Sequence, residues 1–198
     1  LANLLLQQDF TDPEQAARSF VNPKKEVEDT AAALSGAHDI IAETVSEDAQ
    51  VRERIRRQYH KTALISSTVA KDKEEEGKTY QSYFDWNEPL AKAPSHRVLA
   101  LLRGSEEGFL KIKVEVDEAE AVAALQRMYV RNGSRKAAQV ELALADAFKR
   151  LLAPSLSNEM LAFYKAKADE TAIRVFGGNL RQLLLAPPLG PKRVLAID

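Results

Sequence analysis

The sequence predicts a mainly α protein: a multi-helix bundle with a small two- or three-stranded antiparallel sheet. Three observations lead there. Apolar residues recur at helical spacing through most of the chain, and several of these stretches open on an Asp, Asn or Ser suited to a helix N-cap. Two short runs, 62–69 and 109–116, are instead β-branched or alternate apolar with charged residues, which is the pattern of strands. Hydrophobic residues make up 45% and charged residues 29% of the 198, a balance that suits a globular domain, or one and a half at this length.

Each element has its local reason. Leu1, Leu4, Leu5, Phe20 and Val21 belong to short helical pieces that pack on something larger. Asp12-Pro13 is a helix start, with Asp12 as cap and Pro13 in the first turn, where its missing N–H has no intrahelical partner to lose. Asn22-Pro23 opens a second start. Val27, Ala31, Leu34, His38, Ile41 and Val45 then form a helical stripe, weakened at Gly36 by about 1 kcal/mol relative to Ala. Ser46-Glu47-Asp48 breaks it. Val51, Ile55 and Tyr59 are the inner stripe of the next helix. Strand 62–69 follows, then a charged loop from Lys71 to Lys78 and a short helical turn at 80–86. Glu88 to Pro94 reads as irregular.

Ser95 caps a helix that Gly104 closes, and the strand at 109–116 pairs with the first one. Asp117 caps a helix with Val122, Leu125 and Tyr129 on one stripe, ended by Asn132-Gly133. Ser134 starts another, with Ala137, Val140, Leu144, Ala147, Phe148 and Leu151 inward. Pro154 is expected to break it, and Ser157 to cap a final helix through Leu185, disturbed at Gly177-Gly178. The domain therefore spans 1–186. Residues 187–198 read as a Pro-rich linker and a new strand, Lys192 to Asp198, which is not stable alone.

Composition removes several function classes. The formal net charge is -1 and the pI about 6.4, so any nucleic-acid binding must come from a local patch rather than the global field. With no cysteine there is no disulfide, thiol catalysis or Cys-based zinc site, and a reducing, cytoplasmic setting is the expectation. No apolar run reaches the roughly 18–20 residues of a membrane span, so no membrane partner is expected. The chain opens on Leu1 rather than Met, and the expectation is a natural N-terminus further upstream.

No catalytic signature is present, and neither a cofactor nor a metal is expected. His38, His60 and His96 are not spaced as metal ligands. His38 lies on an apolar stripe, where a packed histidine is the ordinary reading. Glu74-Glu75-Glu76, flanked by Lys71, Lys73 and Lys78, reads as a self-neutralising loop, or as a surface that docks on a basic neighbouring domain. Tyr80, Tyr83, Phe84 and Trp86 read as one packing unit.

The candidate nucleic-acid contacts are basic side chains. Arg52, Arg54, Arg56, Arg57 and Lys61 crowd one helix. A solvated face paired with Glu47, Asp48 and Glu53 is the default, and phosphate contact the alternative. Arg131, Arg135 and Lys136 gather at a turn and helix start. Arg97 and Arg103 are a third pair, equally able to bond Glu88, Glu106 or Glu107.

The stretch from Lys71 to Asp117 carries a resemblance. It contains K-x-K-E-E-E-G from Lys71, Y-F-D-x-x-E-P from Tyr83, P-S-H-R-x-L-A-L-x-R-G from Pro94 and E-G-x-L from Glu107. In that order and spacing it resembles the bacterial Tex family of transcription accessory proteins. DPEQAARSFVNP from Asp12 and NLRQLLLAPPLGPKRVLAID from Asn179 extend the likeness. One position departs: where the family pattern places Gly between the two lysines, this chain has Asp72, which bears on whether the backbone turns tightly there.

The resemblance implies a central helical region. A helix-turn-helix part would precede it, and RNase H-like and OB-fold modules would follow. Asp198 would then match an acid on the first RNase H-like strand. The implied role is a non-enzymatic scaffold of a nucleic-acid-binding protein in transcription or RNA metabolism, with RNA ahead of DNA as partner. The alternatives are direct RNA or DNA binding through the basic helix, and a metal-dependent nuclease completed by the RNase H-like module.

Overall fold

The computed structural model describes residues 1–187, 190 and 195. The proposed linker and the strand ending in Asp198 lie almost wholly outside the described residues. Eight α-helices and three strands make up the regular structure among those residues: α1 Ala2–Gln7, α2 Pro13–Arg18, α3 Thr30–Glu47, α4 Ala49–Thr62, β1 Leu64–Val69, β2 Asp85–Pro89, α5 Ser95–Glu106, β3 Leu110–Glu115, α6 Glu118–Tyr129, α7 Arg135–Asp146 and α8 Ala153–Leu184. The expected mainly α architecture with a small antiparallel sheet is what forms.

Capping chemistry explains most helix starts. Side-chain oxygens of Asp12, Asp29, Asp48, Asp117 and Ser134 accept the first free N–H groups of α2, α3, α4, α6 and α7. Ser95 is no cap. Pro94 precedes α5 without a side-chain bond, and Ser95 is its first residue. Gly104 does not close α5 either. A Cβ there would stand 2.7 Å from Leu110 Cδ1 and 3.0 Å from Tyr80 Cδ1, so glycine is needed for close packing. The chain turns instead at Gly108, where φ is 81°. Asp72 takes φ 58°, so the tight left-handed backbone is kept at a residue that adopts it at some cost.

Strand order is β2-β1-β3, with both pairings antiparallel. Opposite Ile65 stand Glu88 and Val114, and opposite Ser67 stand Trp86 and Ile112. The sequence reads 80–86 as a helical turn and 88–94 as irregular, but the turn is a 3-10 segment ending at Tyr83 and Asp85–Pro89 is a strand, although Asp, Asn, Glu and Pro disfavour strands. The free edge of β1 supplies the hydrogen bonds that their propensity does not.

Pro154 does not end a helix. A π-helical segment, Ala147–Leu152, joins α7 to α8, so one helical rod runs from Arg135 to Leu184. The Ala153 N–H donates to the Phe148 carbonyl, five residues back. The wider turn absorbs a residue whose ring and missing N–H would break an α-turn. Ser157 then caps nothing: its Oγ donates to the Val114 carbonyl at 2.6 Å, tying α8 to β3. The helix also passes unbroken through Gly177 and Gly178.

One core joins the helices other than α2 to the sheet. Leu5, Ile41, Val51, Ile55, Tyr59, Ile65, Leu101, Leu125, Leu144, Leu152, Leu156 and Met160 are fully buried within it. On α3 the inner stripe is Ala33, Ala37, Ile41 and Val45, shifted from the expected one because the helix begins at Thr30 and leaves Val27 in an isolated bridge to Asn22. The α8 helix leaves the core at Ala168; beyond it Ile173, Phe176, Leu183 and Leu184 are exposed.

Candidate nucleic-acid interface

The helix α4 sets the geometry. Val51, Ile55 and Tyr59 recur every four residues and are buried, which pins the rotation of the helix. Its cations then fall on two different sides. Arg52 and Arg56 flank the buried stripe toward α8. Arg54, Arg57 and Lys61, at i, i+3 and i+7, form a separate row toward α6.

The first side is a clamp. Arg56 Nε lies 2.5 Å from Glu159 Oε1, and Arg56 also reaches Glu53 at 2.9 Å. Arg52 donates to Ser155 Oγ at 3.0 Å and sits 3.5 Å from Glu159. Hydrogen bonding to Arg56 holds the Glu159 carboxyl below its ordinary pKa, and the same bond raises that of Arg56. Beside them the Tyr59 hydroxyl lies 3.3 Å from Ser157 Oγ. The clamp joins residues 103 apart in sequence.

The second side is a groove between α4 and α6. Arg54, Arg57, Gln58, Lys61 and Thr62 face Glu120, Ala124 and Arg127 around a hollow of about 190 Å³. A neighbouring hollow of about 500 Å³ shares Arg54, Arg57, Ala124 and Arg127, and adds Gln50, Glu53 and Met128. Arg57 bonds Glu53 at 2.8 Å, but both groups are largely solvated. Among the described residues no carboxylate oxygen lies within 4.0 Å of the charged nitrogens of Arg54, Lys61 or Arg127. Gln58 Nε2 is buried with no hydrogen-bond partner among the described residues. An unmet donor of this kind costs about 1–3 kcal/mol.

The other candidate cations are dispersed. Arg97 bonds Glu88 at 2.7 Å and lies 4.7 Å from the Trp86 ring centre, so it stitches α5 to β2. Tyr83 meets Trp86 edge-on at 6.1 Å, and Tyr80 lies 6.0 Å from Phe109. These aromatics pack with the loop and sheet. Arg103 is exposed on α5. Lys136 is buried and paired with Asp9 at 2.9 Å, while exposed Arg135 lies 3.9 Å from Asp12. A Thr11 hydrogen bond, then Lys136, brings Asp9 down to about 2. The Arg131 backbone N–H donates to Gln8 Oε1 at 2.8 Å, so that residue is held by its main chain. The acidic loop neutralises itself through the Lys73–Glu76 and Lys78–Glu75 pairs.

Sequence reasoning missed Arg127 and Gln58. Arg127 is a lone cation on its own helix and joins the α4 row only through tertiary packing. The three histidines do not converge: His38 bonds Gln139 at 2.9 Å and His60 meets Phe163 edge-on at 5.0 Å. Among the described residues no group of three or more His, Cys, Asp or Glu is placed to hold a metal, and no helix is long and apolar enough to cross a membrane.

The family model described as Tex central region-like matches residues 8–176. This chain belongs to the Tex family. Among Tex relatives, it is 34% identical over 212 residues to Protein tex of Bordetella pertussis, covering 100% of this chain and 27% of that protein. With the Transcriptional accessory protein Tex of Neisseria gonorrhoeae it shares 36% identity over 204 residues, again 100% of this chain and 27% of the relative. The human S1 RNA-binding domain-containing protein 1 is 27% identical over 179 residues, or 82% of this chain and 18% of the relative. The chain thus spans about a quarter of the length of its Tex relatives.

Proposed function

We propose that this Tex region is a non-enzymatic helical scaffold. It positions neighbouring helix-turn-helix, RNase H-like and OB-fold modules in a cytoplasmic protein of transcription or RNA metabolism, with RNA ahead of DNA as partner. The observation that carries the reading is the continuous core from Ala2 to Ala168, which joins seven of the eight helices, all but α2, to the sheet. The ties that cross the chain are structural: Arg56 to Glu159, Lys136 to Asp9, Ser157 to Val114 and Tyr129 to Asp48. Such a body gives appended modules a fixed geometry. The names of the relatives, a transcriptional accessory protein and an S1 RNA-binding domain-containing protein, support the setting.

The test is incubation of the purified chain with labelled RNA and DNA in Mg²⁺ or Mn²⁺. Intact strands are the expected result. Cleavage that follows the protein through chromatography and stops with EDTA overturns the scaffold reading.

A further inference from the structure

We propose that the groove between α4 and α6 is a phosphate-backbone site for nucleic acid, with Arg54, Arg57, Lys61 and Arg127 as its cations. The inference rests on the Tex setting above and adds a contact surface to a region otherwise read as a frame.

Three features carry it. Four cations and two carboxylates, Glu120 and Glu53, line the two hollows, in a chain whose formal net charge is -1. The groove therefore carries a local excess of positive charge that the chain as a whole lacks. Three of those cations have no acidic partner among the described residues, unlike Arg52 and Arg56 on the other side of the same helix. Finally, Arg54 to Lys61 spans seven residues of helix, about 10 Å. At about 3.4 Å per phosphate along one strand, that row matches roughly three successive phosphates.

The lining argues against an acidic peptide as occupant. Only Ala124 and Met128 among the lining residues are apolar, and a protein partner draws its affinity from buried aromatic or aliphatic anchors. No aromatic side chain lines the groove for base stacking, so the contact is to backbone and independent of sequence.

The experiment is fluorescence anisotropy of the 198-residue chain with short labelled RNA and DNA, single- and double-stranded, over a salt series. The groove variant combines Arg54→Ala, Lys61→Ala and Arg127→Ala, none of which loses an ion pair. A control variant removes three exposed cations elsewhere, Lys24→Ala, Lys25→Ala and Lys149→Ala. Circular dichroism melts check that both variants fold. The expected result is salt-dependent binding that falls about tenfold or more in the groove variant alone, with the slope of log K against log salt reduced by about 2–3. Binding that the groove variant retains, or that the control variant loses equally, overturns the groove and leaves the family reading standing. No binding by the wild-type chain overturns the groove and leaves the scaffold. Equal displacement of RNA by poly-glutamate at matched charge overturns phosphate as the ligand.

Discussion

The two sides of α4 carry the same residue type and do opposite things. Toward α8, Arg52 and Arg56 are about a third exposed and meet Glu159 and Ser155. Toward α6, Arg54, Arg57 and Lys61 line an open groove whose acids are few. Proximity in sequence does not distinguish the sets; a single turn of helix holds both. What separates them is whether a carboxylate of the facing helix comes within ion-pair distance: Glu159 of α8 does, and Glu120 of α6 makes no such pair among the described residues. The clamp is therefore a stability element and the groove a surface with unspent charge.

Breaking the stripe between the two sides has the largest expected effect. Ile55 is fully buried, and Ile55→Ala should destabilise by about 2–5 kcal/mol through lost transfer energy and a residual cavity. Chemical denaturation reads this directly. A loss below about 1 kcal/mol would mean that polar ties, not the core, orient α4.

Charge removal sharpens the contrast at a lower level. Arg56→Ala leaves Glu159 without its closest partner and should cost about 1 kcal/mol, discounted for partial solvation. Arg54→Ala leaves nothing unpaired and should not move the melting temperature. Equal shifts from the two variants would erase the distinction between clamp and groove.

The smallest effect concerns pH. Hydrogen bonding to Arg56 holds the Glu159 pKa below the ordinary glutamate value, and bonding to Arg57 does the same for Glu53. A carboxylate depressed on folding contributes stability that is fully present above its unfolded pKa and is lost as pH falls through the folded value. Below about pH 4.5 the unfolded chain takes up these protons first, so stability should decline with acid. Glu159→Gln should flatten that decline more than Glu53→Gln, because the clamp is less solvated. The opposite order in acid-melt series would place the stronger pair on the groove side.

Much of the fold was legible because its signals are local. Val51, Ile55 and Tyr59 are the inner stripe of α4, as the spacing indicates, and Asp12, Asp117 and Ser134 start α2, α6 and α7 where the sequence places them. Strands β1 and β3 pair where alternation and β-branching place them. The errors share a cause. Pro154 and Ser157 each look like a helix boundary, but the π segment accommodates the proline and β3 takes up the serine hydroxyl. Strand β2 has poor intrinsic propensity and exists because β1 offers an edge. The candidate site was half legible: the cations of α4 stand in plain sequence, while Arg127 becomes relevant only when α6 packs beside them.

By itself the sequence determined most of the helix stripes, the caps at Asp12, Asp117 and Ser134, the two alternating strands and the Tex resemblance, because each depends on residues a few positions apart. Tertiary structure alone decided which arginines are neutralised. Glu159 and Arg127 lie far along the chain from α4, and charge compensation depends on distance in space. It also decided that Lys136, one residue along from exposed Arg135, is buried against Asp9. A charge count along the chain sees two cations there; packing turns one of them into part of the frame.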